Sequence, residues 1–155
     1  MHSHKHVYLS GGMEYATDEG RDWRSTLQQW LERDLHCEVF NPNLESDRLF
    51  RTRHSNINFR QLKTNDIRQY SSIAAELVDL DCKEIAERSD FVICYWDESA
   101  MKGAGTKGEL TMARYFKKPV YMVTTMPHHE VPGWILGCAT RMFSSFDELK
   151  TFLLK

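Results

Sequence analysis

The chain has 155 residues, 41% hydrophobic and 27% charged, and its 20 Lys and Arg against 22 Asp and Glu give a formal net charge of -2. That length fits one domain, and the apolar fraction is ordinary for a globular protein and too high for wholesale disorder. The balance excludes a general nucleic-acid binder, which carries a basic excess, and no apolar run approaches the roughly 20 residues that span a bilayer.

The opening Met1-His2-Ser3-His4-Lys5-His6 has no apolar signal-peptide core, so secretion is not expected and a cytoplasmic location is. His2, His4 and His6 alternate and so can share an edge toward a metal, although a frayed terminus is the simpler reading. The first predicted strand is Val7-Tyr8-Leu9, closed by the turn residues Ser10-Gly11-Gly12. Residues 18–36 predict a helix whose apolar face holds Trp23, Leu27, Trp30 and Leu31. A second strand, Glu38-Val39-Phe40, ends at Asn41-Pro42-Asn43. Residues 73–88 read as a helix with Ile73, Leu77, Leu80 and Ile85 as its stripe. Residues 91–96 form a nearly all-apolar third strand, 106–117 a helix, Val120–Val123 a fourth strand and 145–154 a final helix.

Strands alternating with helices predict an α/β fold: a small, open, mostly parallel sheet flanked by helices, a Rossmann-like or flavodoxin-like three-layer sandwich. Residues 1–155 read as one domain with a basic insertion at about 43–72. That insertion carries Arg48, Arg51, Arg53, Arg60, Lys63 and Arg68 against Glu45, Asp47 and Asp66. It reads as a solvated segment, partly helical around 59–70, or as an anion-facing lid or a subunit contact. Residues 76–98 are by contrast strongly acidic. Cys37, Cys82, Cys94 and Cys138 include no C-x-x-C pair, so neither a zinc ribbon nor a thioredoxin-type redox site is written here.

Open α/β sheets bind ligands beyond the carboxyl ends of their strands. The first such loop is Ser10-Gly11-Gly12, where paired glycines admit a ligand close to the backbone or simply make a tight turn; Arg21 and Arg24 follow it. Neither G-x-G-x-x-G nor G-x-x-x-x-G-K-[ST] is present. The second loop, Lys102-Gly103-Ala104-Gly105-Thr106-Lys107-Gly108-Glu109, sets three glycines before a carboxylate in the expected first turn of a helix, where the dipole favours its ionised form. Such a carboxylate suits attack on a sugar carbon. The same residues also spell a T-x-x-E capping box, the favoured local reading. Asp81 ends the acidic helix and reads either as a surface charge or as a group at the sheet's carboxyl edge.

Together these blocks resemble the nucleoside 2-deoxyribosyltransferase-like superfamily, which includes nucleotide N-glycoside hydrolases. The matching residues are Val7-Tyr8-Leu9-Ser10-Gly11-Gly12, Asp81-Cys82-Lys83-Glu84-Ile85 with Ser89-Asp90, Gly105-Thr106-Lys107-Gly108-Glu109-Leu110-Thr111-Met112-Ala113, and Lys118-Pro119-Val120. The resemblance implies that Glu109 attacks the anomeric carbon, Asp81 handles the departing base and Tyr8 orients the nucleophile. It moves Glu109 from cap to nucleophile. It also implies a nucleoside or nucleotide as small-molecule partner, a homo-oligomer, and a reaction that needs no cofactor and no metal.

Ser10, Gly11, Gly12, Gly105 and Thr106 are the expected substrate-binding residues. Arg21, Arg24, Ser99 and the basic insertion are the expected holders of a 5′-phosphate. Transferases of the family often have an acidic residue six positions before the nucleophile, where this chain has Gly103, which weakens the match to a true base-exchange transferase. The competing expectations are a non-catalytic nucleotide-binding module of the same fold and a structural protein docking an acidic surface. Trp134, Tyr70, Tyr95 and Trp96 read as core residues or as walls of a base pocket, and His128-His129 as a solvated loop.

Overall fold

Parallel strands need crossovers, and nearly every apolar run in this chain is followed by an amphipathic helix that supplies one. The computed structural model describes residues 4–155. Its elements in order are β1 (His6–Gly11), α1 (Arg21–Leu35), β2 (Glu38–Phe40), α2 (Pro42–Arg53), α3 (Phe59–Asn65), α4 (Ile67–Lys83), β3 (Phe91–Tyr95), α5 (Glu98–Lys102), α6 (Gly105–Tyr115), β4 (Val120–Val123), α7 (Gly133–Cys138), β5 (Arg141–Phe143) and α8 (Phe146–Leu153). Beyond Lys83 the chain continues α4 as a π-helical turn, Glu84–Arg88.

The five strands form one parallel sheet in the order β2-β1-β3-β4-β5. The order reverses beside β1, between β2 and β3, and such a switch point opens a crevice at the strands' carboxyl ends. Strand alternation gives the sheet two dry faces. Val7, Leu9 and Ile93 pack with Leu27 and Leu31 of α1 and Leu149 of α8. Tyr8, Val92, Cys94 and Met122 pack on the opposite face with Leu110 of α6, Ile135 of α7 and Ile85 of the π turn.

Three expectations change. The segment 43–72 is helical nearly throughout rather than a solvated insertion helical only around 59–70: α2, α3 and the first turn of α4 occupy it. Phe50, Phe59 and Tyr70 stack at 5.2 and 4.5 Å and give it a small core of its own. The long helix therefore begins at Ile67, six residues before the stripe that marked it. The fifth strand, Arg141–Phe143, had no sequence signal. It is three residues long and buries only Phe143, so it depends on pairing with β4 rather than on periodicity.

At the N-terminus His2 lies outside the described residues. His4 points its Nδ1 at the His36 carbonyl, and His6 lies 3.3 Å from Glu38, so these two rings serve different neighbours. No described helix is long and apolar enough to cross a membrane.

Candidate active site

Period-two alternation puts Tyr8 and Ser10 on the same face of β1, pointing toward α6. Both are fully buried. The Tyr8 hydroxyl donates to Glu109 Oε2, and Ser10 Oγ donates to Glu109 Oε1 at 2.7 Å. Glu109 thus spends its carboxylate across the sheet on two hydroxyls, not back on its own helix. The capping box does not form: α6 begins at Gly105, its N-cap Ala104 offers no side-chain cap, and Glu109 stands beyond the first turn. Hydroxyl donation, at shorter range than a helix dipole, is what favours the ionised form of Glu109.

Above these groups lies a cleft of about 500 Å³ at the carboxyl end of β1. Its floor holds Gly11, Gly12, Asp81 and Glu109; one wall holds Ser99, Lys102, Gly105 and Thr106; the other holds Glu14, Phe59, Arg60, Lys63 and Tyr70. Asp81 reaches it from α4. Tyr70, Ala74, Leu77 and Asp81, at helical spacing, form the cleft-facing stripe of that helix. Gly12 is fixed by a close approach, since a Cβ there would stand 1.9 Å from Ser99 Oγ and 2.8 Å from the Ala100 amide nitrogen. Gly20 has φ +70°, a left-handed conformation at the entry to α1 that favours glycine.

Arg21 and Arg24 do not face this cleft. Arg21 forms a two-pronged pair with Asp47 of α2, at 2.8 and 2.9 Å, on the outer surface. Arg24 is fully buried behind the glycine turn. Its guanidinium donates to the carbonyls of Gly11 at 2.8 Å, Gly20 at 3.1 Å and Leu9 at 3.2 Å. Those donors hold the loop that frames the cleft. Ser99, Ser10, Gly11, Gly12, Gly105 and Thr106 are all brought to the site or directly beneath it.

Burial raises the Glu109 carboxyl above the ordinary carboxylate range, while the Tyr8 and Ser10 hydroxyls and the Arg24 charge pull it down. Asp81 is pushed from 3.8 up to about 8, first by burial and then by the neighbouring charge of Glu109. Two carboxyls sharing a site do not both ionise at neutral pH. The two donated hydroxyls favour the negative charge on Glu109, and burial beside that charge favours the proton on Asp81. Tyr8 is held well above its usual range by burial and by both carboxyls, so it remains a donor. One ionised carboxylate beside one protonated carboxyl can act as nucleophile and acid at a single carbon.

Glu14 and Tyr15 line the cleft without any sequence signal, and so do Arg60 and Lys63, expected only as part of the basic insertion, and Lys102, expected only as part of the glycine-rich loop. The face Tyr70-Ala74-Leu77-Asp81 is a usable signal, but the apolar stripe from Ile73 leaves its first residue, Tyr70, outside the predicted helix. Tyr95 and Trp96 do not line the cleft. Tyr95 packs on Trp23 and Phe146 across the sheet, and Trp96 is core. Trp134 is neither core nor cleft: it is 71% exposed and donates Nε1 to Thr111 Oγ1 at 2.9 Å.

No protein-family model and no curated protein matches the chain in sequence. Solved structures do match in shape. A 2-deoxyribosyltransferase from Bacillus psychrosaccharolyticus aligns with TM-score 0.61 at 14% identity, over 94% of this chain and 90% of that one. The CMP N-glycosidase BcmB of Clostridium botulinum aligns with TM-score 0.57 at 15% identity, over 96% and 97%. A conserved protein from Enterococcus faecalis aligns with TM-score 0.57 at 17% identity, over 95% of both chains. With its parallel sheet and near-complete alignment, this chain shares the fold of that 2-deoxyribosyltransferase and that CMP N-glycosidase.

Proposed function

We propose that the chain cleaves the N-glycosidic bond of a nucleoside or a nucleoside 5′-monophosphate, by hydrolysis or by base transfer, with Glu109 as the nucleophile. The observation that carries this reading is Glu109 held by the Tyr8 and Ser10 hydroxyls at the floor of a cleft that also contains Asp81. A Glu109 oxygen attacks C1′ as the C1′–N bond breaks, and the departing electron pair goes to the base nitrogen. Asp81, still protonated at neutral pH, gives its proton to the base. The oxocarbenium-like charge at C1′ develops beside the Glu109 carboxylate, which stabilises it and closes onto it as a glycosyl ester. Asp81, now ionised, takes a proton from water or from an incoming base. That nucleophile attacks C1′, the ester bond breaks, and Glu109 is restored.

Two hydroxyl bonds leave lone pairs on the carboxylate free for attack, and they fix its orientation before substrate arrives. Ser99 and Lys102 are the groups on the α5 wall that a 5′-phosphate would meet. The proposed assembly is a homo-oligomer.

The test is incubation of the pure protein with a panel of nucleosides and their 5′-monophosphates, following free base by chromatography, then adding a second base to separate transfer from hydrolysis. Base release that disappears in a folded Glu109→Ala variant is the expected result. Turnover retained by that variant removes Glu109 as nucleophile. Binding without any base release would instead identify a nucleotide-binding module.

A further inference from the structure

The basic segment meets the cleft through α3, and the ionic partners of its two cleft-facing cations are already in place. Lys63 Nζ lies 2.6 Å from Glu14 Oε1, and Arg60 Nη1 lies 3.2 Å from Glu14 Oε2. The Tyr70 hydroxyl donates to the same Oε2 at 3.0 Å. Arg60 also grips Glu19 with Nε at 3.0 Å and Nη2 at 2.8 Å. Glu14, Arg60, Lys63 and Tyr70 all line the cleft that holds Asp81 and Glu109. Three donors from two helices therefore converge on a single carboxylate supplied by the loop after β1. An ammonium, a guanidinium and a phenol converging on one oxyanion is the donor set that binds phosphate or a carboxylate ligand.

We propose that Glu14 is an internal anion filling an anion site of the cleft, so that the part of a ligand meeting α3 is uncharged and Glu14 excludes a phosphate from that wall. Charge matching supports the exclusion. A phosphate approaching Arg60 and Lys63 meets two cations whose charge Glu14 and Glu19 already offset, and it must also face Glu14 itself. Like charges at contact cost more than a partly shared cation returns. The short contacts with Lys63 and Tyr70 hold Glu14 below the ordinary carboxylate range despite its partial burial, so this negative charge persists through neutral and mildly acidic pH. The inference deepens the proposed reaction, because it assigns the specificity of one wall of the same cleft, but its measurement does not depend on turnover.

The test uses inorganic phosphate as the probe, titrated calorimetrically into the full chain. Glu14→Gln keeps the side-chain shape and removes the charge. The expected result is phosphate binding at least tenfold tighter than in the native protein, with the gain cancelled in Glu14→Gln/Lys63→Gln. Lys63→Gln in the native background leaves phosphate affinity unchanged, since that lysine is already neutralised. Equal phosphate affinity in the native and Glu14→Gln proteins, both folded by circular dichroism, overturns the proposal. A loss of phosphate binding in Lys63→Gln alone overturns it too, because the lysine would then be holding the anion already. Should Glu14→Gln not fold, the Lys63→Gln comparison decides by itself. Absence of base release with a phosphate gain in Glu14→Gln removes the proposed reaction and leaves the anion site standing; base release without that gain does the reverse.

Discussion

Asp81 and Glu109 differ by one methylene, and their surroundings bias them toward opposite protonation states. Glu109 accepts two hydroxyl hydrogen bonds, whereas Asp81, half-buried beside that charge, is pushed to about 8. The proposed base release therefore falls as pH rises through about 8, where Asp81 loses the proton it gives to the base. Asp81→Asn lowers the rate by about 100- to 10,000-fold and abolishes that alkaline limb, as a pH–rate profile of both proteins shows. Stability follows the same group. Its pKa is higher folded than unfolded, so the native state binds more protons between the two values. Its contribution is fully present below about 4 and is lost as pH rises through about 8, which urea midpoints measured across that window detect. The position of Arg24 after a glycine turn suggests a phosphate ligand, but its donors are spent on buried carbonyls. Arg24→Leu leaves those carbonyls unpaired and costs about 3 kcal/mol or more, read from chemical denaturation, because breaking a buried charged network costs about that much.

Among elements, the glycine turn and α5 act as a fitted pair. Gly12→Ala drives a methyl into Ser99 and the Ala100 amide, both at the N-terminal end of α5. The loop or the helix must shift, at about 1–3 kcal/mol, the usual cost of overpacking a fitted contact. Base release by Gly12→Ala falls at least tenfold, while the circular dichroism of the sheet persists; unchanged kinetics would remove the turn from the site. The helices of 43–72 show how an element can be misread. Its scattered arginines look like a solvated face, and four of them (Arg48, Arg51, Arg53 and Arg68) are exposed. Phe50, Phe59 and Tyr70 nevertheless stack beneath α2 and α3, and Arg60 and Lys63 turn inward to the cleft. No period in the sequence marks a core of three rings drawn from three separate helices.

For the whole molecule, a five-stranded sheet with its switch point beside β1 leaves an open crevice rather than an enclosed cavity. Tyr15, half exposed, stands at its rim. On the sheet face that carries α6 and α7, Tyr115 and Trp134 are mostly exposed, an apolar surface of the kind that association covers. The proposed homo-oligomer gives a sedimentation mass that is a whole multiple of one chain; a monomer at micromolar concentration removes it.

The sequence by itself determined the alternation of strands and helices, the parallel sheet, and the blocks around Tyr8, Asp81 and Glu109. These are local signals: apolar period, turn chemistry and short motifs spelled in adjacent residues. Only the tertiary structure decided that Glu109 bonds hydroxyls a hundred residues away instead of capping its helix, that Arg24 faces inward, and that Glu14 meets Arg60 and Lys63. In the first of these a local hydrogen bond competes with a distant one. The distant partner wins because burial penalises any polar group left unpaired, and which groups become buried is fixed only when the layers pack.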